Sequence, residues 1–219
     1  MNLKEKLTNI AKKAHDASRK SFSISTALKN KALKEMASSL ITKKDYILKA
    51  NREDVKGSRL KRLSVALIDR LSLSETRIRS MADSLLEIAR QEDPVGEVLK
   101  EWRMPNGLRI QKVRVPIGVI AIIYESRPNV TSDCIGLCLK SGNSVILRGG
   151  SEALNSNKAI YKVLKESFPK NGIAQNAVNL VITADRNAVD ILLKLNNYID
   201  LVIPRGGEGL INHVVKSTR

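Results

Sequence analysis

Two short glycine-rich segments hold the residues of this sequence best suited to bind a phosphorylated ligand. Each follows an apolar run, and they are Arg148-Gly149-Gly150-Ser151 and Pro204-Arg205-Gly206-Gly207. Glycine lets the backbone approach a ligand, N–H groups at a helix start can face phosphate oxygens, and arginine adds a planar set of donors. Together the segments favour dinucleotide binding. A single Gly-Gly pair is also typical of a tight turn, and the strict G-x-G-x-x-G fingerprint is absent.

Asn129 is a second candidate for chemistry, because it follows a proline just after another apolar run. An amide at such a position could donate a hydrogen bond to the oxyanion that forms when a carbonyl group is attacked. Asparagine is equally well suited to cap the N-terminus of the next helix. The residues alone leave both interpretations open.

The two cysteines are expected to be core residues. Cys134 and Cys138 are four residues apart in "SDCIGLCLK", so on a helix they share one face. They form no disulfide framework, and no histidine cluster completes a zinc site, so no metal site is expected.

The elements that position these residues are predicted from residue 116 onward, where four continuously apolar runs each precede a helical pattern. The predicted strands are 119–124, 144–148, 179–183 and 200–204, and the predicted helices are 130–140, 155–167, 186–195 and 207–216. Continuously apolar runs are typical of strands that are covered on both faces. Their alternation with helices favours right-handed crossovers and a parallel sheet. We therefore predict an α/β fold with a doubly wound, mostly parallel sheet, whose ligands bind at the carboxyl ends of the strands.

The first ninety residues predict a layer of helices. Ser25 or Thr26 could cap one helix, Thr42 the next, which would end near Gly57, and Ser74 a later one. After this layer, two extended runs flank Asn106-Gly107, which is a strong signal for a β-hairpin.

Composition narrows the classes of partner. The net charge is +16, but the lysines are spread around helical turns and aromatic residues make up only 3%, which leaves little for base stacking. An anionic small molecule is therefore favoured over nucleic acid. No apolar stretch approaches the roughly 18 residues of a membrane helix, and the N-terminus has no uninterrupted apolar segment, so a soluble, cytoplasmic protein is expected.

Several longer motifs resemble the gamma-glutamyl phosphate reductases, also called glutamate-5-semialdehyde dehydrogenases, whose wider relatives are the aldehyde dehydrogenases. The motifs are "YESRPNVT", "LCLKSGN", "LRGGSEA", "DLVIPRGGEGLI" and an upstream "DRL" followed by "DPVG". The resemblance covers essentially the whole chain. It implies an aldehyde-dehydrogenase-like cofactor domain and an NADPH-dependent reduction of L-glutamyl 5-phosphate to L-glutamate 5-semialdehyde, with release of phosphate, on the route to proline.

The resemblance also implies roles for individual residues. Asn129 matches the oxyanion-stabilising asparagine, residues 148–151 would contact the adenosine end of NADP, with Arg148 or Ser151 at its 2′-phosphate, and residues 204–207 would lie along the pyrophosphate. The family's nucleophile is a cysteine thiolate in a second, catalytic domain, and neither Cys134 nor Cys138 matches its position. We therefore expect this chain to lack the catalytic thiol and to be inactive alone.

The same resemblance implies a domain organisation. Residues 1–94 would form the N-terminal helical segment of the cofactor domain, 95–115 a hairpin arm for homo-oligomerisation, and 116–219 the NADP-binding α/β part, with the catalytic domain absent. The alternative to a reductase is a non-catalytic module that binds a dinucleotide or a partner subunit.

Overall fold

The computed structural model describes residues 2–21 and 23–218, and within these it contains nine α-helices and six β-strands. The helices are α1 (Leu3–Ser21), α2 (Thr26–Thr42), α3 (Lys44–Leu60), α4 (Val65–Leu71), α5 (Glu75–Arg90), α6 (Asn129–Lys140), α7 (Leu154–Lys165), α8 (Asn187–Leu192) and α9 (Glu208–Ser217). The strands are β1 (Val98–Arg103), β2 (Arg109–Val113), β3 (Val119–Tyr124), β4 (Ser144–Arg148), β5 (Val178–Leu180) and β6 (Leu201–Arg205). In the described part, no helix is both long and apolar enough to cross a membrane.

The N-terminal helices confirm two of the predicted caps and contradict a third. The hydroxyl oxygens of Ser25 and Ser74 accept hydrogen bonds from the backbone N–H groups of Leu28 and Arg77, at the starts of α2 and α5. The prediction that Thr42 caps a helix was wrong, because Thr42 ends α2 and its hydroxyl donates to the carbonyl oxygen of Ser38. Local sequence cannot distinguish such back-bonding from capping.

The helix predicted to stop near Gly57 continues to Leu60. A glycine inside a helix costs about 1 kcal/mol relative to alanine, which packing can offset. Here α3 packs along α7 and buries Asn51, Asp54 and Ser58, so the contacts on both sides of Gly57 hold it in the helix.

The main sheet has four parallel strands in the order β5-β4-β3-β6, which confirms the predicted α/β fold. All residues of β3 and β4 are buried, because helices cover both faces. Ile120, Ile122 and Tyr124 join one core cluster, with residues of α2, α5, α6 and α7, whereas Val119 and Ala121 join another, with residues of α1 and α8. The alternation of partners along β3 is the period-2 pattern of a strand.

The strand predicted at 179–183 is shorter in the structure. β5 runs only from Val178 to Leu180, and one further bond joins the Val181 N–H to the carbonyl oxygen of Leu147. β5 lies at the sheet edge and pairs only with β4, which ends at Arg148. Residues beyond 181 therefore have no strand to pair with.

The strand order places a topological switch point beside β3. The chain passes from β3 to β4 to β5 in one direction and then returns to place β6 on the other side of β3. The last registered pairs are Ile123 with Arg148 and Tyr124 with Arg205. Ligands of doubly wound sheets bind in the crevice at such a point, so both arginines lie at the edge where a ligand is expected.

The predicted hairpin is confirmed as an antiparallel pair of β1 and β2, separate from the main sheet. Its loop contains Asn106 and Gly107, and Gly107 has a φ of +87°, a conformation that favours glycine. Trp102 pairs with Ile110 across the ribbon, and every residue of β1 is exposed. Its use as an oligomerisation arm, and the division of the chain at residues 94 and 115, stay predictions.

Candidate functional site

A cleft of about 730 Å³ lies at the carboxyl ends of β3 and β4. The loop after β3 contributes Glu125 and Ser126. Arg148 is the last residue of β4, and the segment after it contributes Gly150, Ser151 and Glu152. Further lining residues come from α8, α9 and the residue before α8, and they are Arg186, Asp190 and His213. Three of the residues predicted to bind a cofactor, Arg148, Gly150 and Ser151, therefore line a single cleft.

Arg148 is a buried cation at the base of this cleft. Only 7% of the residue is exposed, and its guanidinium donates to the carbonyl oxygens of Gly149 (2.9 Å) and Asp185 (3.3 Å). Its Nε is buried and has no hydrogen-bond partner among the described residues. Burial lowers the pKa of Arg148, but a guanidinium stays charged at neutral pH. Such a group gains from an anionic partner.

The glycines after Arg148 face other parts of the chain. A Cβ on Gly149 would overlap the amide of Asn157 and lie 3.0 Å from ring atoms of Tyr124, and both of those residues are buried. A Cβ on Gly150 would overlap the carboxylate of Glu152, which is the end of a flexible side chain. Gly149 is thus required by the packing of the loop itself. Beside Gly150, the Glu152 side chain can move away and leave space for a ligand.

Glu152 is a charged residue of the cleft for which the sequence predicted no role. Its Oε1 accepts hydrogen bonds from the Ser126 N–H (3.2 Å) and from the Ser126 hydroxyl, and its Oε2 accepts one from Ser151 (3.3 Å). Burial by itself would raise the pKa of Glu152, but these hydrogen bonds outweigh it, and the pKa is lowered. The carboxylate is therefore ionised at neutral pH and stands close to Arg148.

The second glycine-rich segment lies on the other side of β3. β6 ends at Arg205 and α9 begins at Glu208, so Gly206 and Gly207 form the turn between them. The Gly207 N–H donates to Oε2 of Glu125 at 3.0 Å, and a Cβ on Gly206 would lie 2.6 Å from the Glu125 carboxylate carbon. The start of α9 is therefore covered by a carboxylate of the chain itself, which suits the positive end of a helix.

Asn129 lines a different cavity, of about 470 Å³, together with Asp69, Arg70, Arg77, Arg127 and Asp133. It is the first residue of α6, and the helix has no side-chain cap, so the alternative that Asn129 is an N-cap was wrong. Its Nδ2 instead donates to Oδ2 of Asp133 at 3.2 Å. Burial raises the pKa of Asp133, although Arg205, Asn129 and Ser132 oppose the shift. The oxyanion role of Asn129 stays a prediction.

The cysteines are core residues, as predicted. Cys134 and Cys138 are buried and unpaired, and both join the core cluster between α6 and its neighbours. Burial raises the pKa of each thiol to about 12. Neither supplies a thiolate near neutral pH, so neither is suited to act as a nucleophile.

Solved structures define the class of fold. A probable aldehyde dehydrogenase from Listeria monocytogenes EGD-e aligns with 99% of this chain and 46% of its own, with a TM-score of 0.76 and 16% identity. At this identity the comparison shows the fold alone, and it confirms the aldehyde-dehydrogenase-like architecture.

The more similar relatives are gamma-glutamyl phosphate reductases. The crystal structure of a gamma-glutamyl phosphate reductase from Thermotoga maritima aligns with 97% of this chain and 51% of its own, with a TM-score of 0.95 and 45% identity. A gamma-glutamyl phosphate reductase of Halothermothrix orenii is 52% identical over 100% of this chain and 52% of its own. No protein-family model matches the sequence. The chain is thus homologous to the N-terminal half of gamma-glutamyl phosphate reductases, and it spans about half the length of the relatives it matches.

Proposed function

We propose that this chain is the cofactor-binding half of an NADPH-dependent reductase of the cytoplasm that converts L-glutamyl 5-phosphate to L-glutamate 5-semialdehyde with release of phosphate, a step of proline biosynthesis. The observation that carries the proposal is the buried guanidinium of Arg148 in a cleft at the switch point of the sheet. Identity of 52% to a gamma-glutamyl phosphate reductase over the whole chain supports the choice of reaction.

The residues of the cleft fit an anionic dinucleotide. The unpartnered Nε of Arg148 is a donor without an acceptor, and Gly150 faces the carboxylate of Glu152 on a flexible side chain that can withdraw. Residues 204–207 do not line the cleft, but Gly206 faces the carboxylate of Glu125, which does. Arg148 and Ser151 would hold the adenosine end of NADP, and residues 204–207 would follow its pyrophosphate. When bound, NADPH supplies a hydride to the acyl carbon of the substrate.

The preference for NADP over NAD depends on the charges around the adenosine ribose. Arg148 and Arg186 on the cleft attract a 2′-phosphate, whereas the ionised Glu152 repels it and would suit a free 2′-hydroxyl. Because the Glu152 oxygens already accept hydrogen bonds from Ser126 and Ser151, its charge is partly offset within the chain. We expect the two arginines to dominate and NADPH to bind more tightly.

In the proposed reaction, Asn129 stabilises the oxyanion. Its Nδ2 carries two hydrogens, of which one is directed to Asp133, so one remains for a carbonyl oxygen of the substrate. The family's acyl transfer needs a cysteine thiolate, and the two cysteines within residues 1–219 are buried with raised pKa values. We therefore expect residues 1–219 alone to bind cofactor but to show weak or no turnover.

The test is a titration of the purified chain with NADPH and NADH, followed by the fluorescence of the reduced nicotinamide. We expect saturable binding and tighter binding of NADPH. Absence of binding of either dinucleotide at millimolar concentration would overturn the proposed function.

The second candidate is a non-catalytic module that binds a dinucleotide or a partner subunit, and the burial of both thiols favours it for residues 1–219. An assay for semialdehyde formation separates the two. Turnover that Cys134→Ser or Cys138→Ser abolishes would mean that these residues contain a complete active site, contrary to our expectation.

A further inference from the structure

The cavity beside Asn129 carries charged side chains that the rest of the chain does not use. Within residues 2–21 and 23–218, the side chains of Arg70 and Arg127 make no hydrogen bond or ion pair, and the carboxylate of Asp133 makes no ion pair. Arg77, by contrast, is held by Oδ1 of Asp69 (2.9 Å) and the carbonyl oxygen of Ser72 (2.6 Å). The cavity thus offers two available cations, one available anion and the amide of Asn129.

We propose that this cavity, which we call the head-group cavity, binds the α-carboxylate and α-ammonium groups of an amino-acid substrate, the carboxylate through Arg70 and Arg127 and the ammonium through Asp133. The proposal rests on the proposed function and adds to it the part of the site that recognises a free amino acid. Asn129, at the same cavity, then faces the acyl group at the other end of the substrate.

The placement of charges matches a zwitterion better than a simple anion. Asp133 is half-buried, and burial raises its pKa, so an ammonium partner would stabilise its ionised form. A dicarboxylate without an α-ammonium group would instead place its carboxylate near that of Asp133, whose charge Arg205 offsets only in part, since burial still raises the pKa of Asp133. The positive end of α6, which begins at Asn129, adds to the attraction for the α-carboxylate.

The position of the cavity relative to the cofactor cleft is consistent with this use. Along one loop, Glu125 and Ser126 line the cofactor cleft, whereas Arg127 and Asn129 line the head-group cavity. A cofactor and an amino acid would therefore approach the loop from its two sides. This arrangement allows two ligands to bind together without sharing residues.

The test compares three stable ligands by calorimetric titration of the chain in the presence of NADPH. They are L-glutamate 5-methyl ester, which has both α-groups, monomethyl glutarate, which lacks the ammonium, and methyl 4-aminobutyrate, which lacks the carboxylate. We expect the first to bind at least about tenfold more tightly than either of the others, as is typical of one lost charge-assisted hydrogen bond.

Substitutions in the cavity test which side chain binds the ammonium group of the ligand and which binds its carboxylate. Asp133→Asn should weaken binding of the glutamate ester about tenfold but should not weaken that of monomethyl glutarate, because it removes a charge of the same sign as that ligand. Arg127→Gln should weaken binding of both of these ligands but not of methyl 4-aminobutyrate. Asp83→Asn and Arg79→Gln, exposed positions on α5 outside the cavity, are the matched controls and should change nothing. Should Asp133→Asn fail to fold, Arg127→Gln still tests the proposal.

Equal affinities for the three ligands, no binding of the glutamate ester at millimolar concentration, or an equal effect of a variant on all three ligands would each overturn the proposal. The affinity for NADPH distinguishes failure of this proposal from failure of the proposed function. An unaltered chain that binds NADPH but not the glutamate ester would overturn this proposal alone, whereas a chain that binds no NADPH would contradict the cofactor site.

Discussion

The carboxylate of Glu125 accepts a hydrogen bond from the backbone N–H of Gly207 at 3.0 Å, across the gap between the loop after β3 and the start of α9. Gly207 is the residue at which a pyrophosphate is proposed to meet the chain. Because an acidic side chain takes the place of an anionic ligand at the helix N-terminus, binding of the ligand requires Glu125 to withdraw. We therefore expect the side chain to compete with the proposed cofactor.

Replacement of Glu125 should therefore strengthen dinucleotide binding. Glu125→Gln removes the negative charge that holds the Gly207 N–H, and we expect the dissociation constant for NADPH to fall by about three- to tenfold, in line with a charge effect at a helix end. Glu208→Gln, which removes an exposed charge from the first turn of α9, is the control and should have a smaller effect. Weaker NADPH binding by Glu125→Gln would show that Glu125 contacts the cofactor rather than competing with it.

Arg148 should be the cation on which NADPH affinity depends most. Arg148→Lys keeps the charge but loses the planar arrangement of donors, and we expect NADPH to bind about ten- to a hundredfold more weakly and NADH to be affected less. Arg186→Lys, at an exposed arginine of the same cleft that is expected to act through its charge alone, keeps that charge and should change NADPH affinity by less than about threefold. Equal losses for both dinucleotides would mean that Arg148 does not contact the 2′-phosphate.

The fold was predictable where continuous apolar runs define buried strands. The predicted strands 119–124 and 144–148 coincide with β3 and β4, because these central strands are covered on both faces and bounded by polar or glycine residues. β5 was predicted too long, because the length of an edge strand depends on its one neighbour. The cap at Thr42 was predicted wrongly because its hydroxyl bonds back to the carbonyl oxygen of Ser38, which local sequence does not reveal. The helix α3 continues three residues past Gly57 because it packs along α7.

The candidate site was predictable only in part. The arginines and glycines stand in local motifs, and the strand order brings them to one edge of the sheet. The roles of Glu125 and Glu152 depend on contacts between loops that are distant in sequence, such as the hydrogen bond from Ser126 to Glu152. No local sequence pattern predicts such contacts. The only sequence signal for these residues was their place inside the motifs "YESRPNVT" and "LRGGSEA".

The two thiols should be unreactive in the folded protein. Burial raises the pKa of both thiols to about 12, so they stay protonated at pH 8, and both side chains are buried. We expect no labelling by a disulfide reagent such as DTNB until the chain is unfolded in guanidinium. Ser38→Cys, at an exposed position of α2, provides a thiol that should react at once. Rapid labelling of Cys134 or Cys138 in the folded state would contradict the packing described.

A buried ion pair should make stability depend on pH in the acid range. Asp93 accepts hydrogen bonds from Lys29 (2.9 Å), Thr26 (2.8 Å) and the Val95 N–H (3.0 Å), and although burial opposes the shift, these bonds lower its pKa. The stabilisation is therefore present above the unfolded-state pKa, near 4, and is lost as the pH falls through the lower folded-state value.

Asp93→Asn tests this relationship through the melting temperature between pH 7 and pH 2. The variant leaves Lys29 buried without its counter-charge, which costs about 3–5 kcal/mol at neutral pH, and it should flatten the loss of stability in acid. Glu92→Gln, the exposed neighbour, should keep the acid dependence of the unaltered chain. If Asp93→Asn retains the acid dependence of the melting temperature, other carboxylates cause that dependence.

A crystal structure of the chain grown in saturating NADPH tests the central claim most directly. We predict a dinucleotide that crosses the end of β3, with the Arg148 guanidinium about 3 Å from a phosphate or ribose oxygen and a pyrophosphate oxygen on the Gly207 N–H in place of the Glu125 carboxylate. A dinucleotide bound elsewhere, or a cleft in which Glu125 still holds Gly207 and nothing contacts Arg148, would contradict the account.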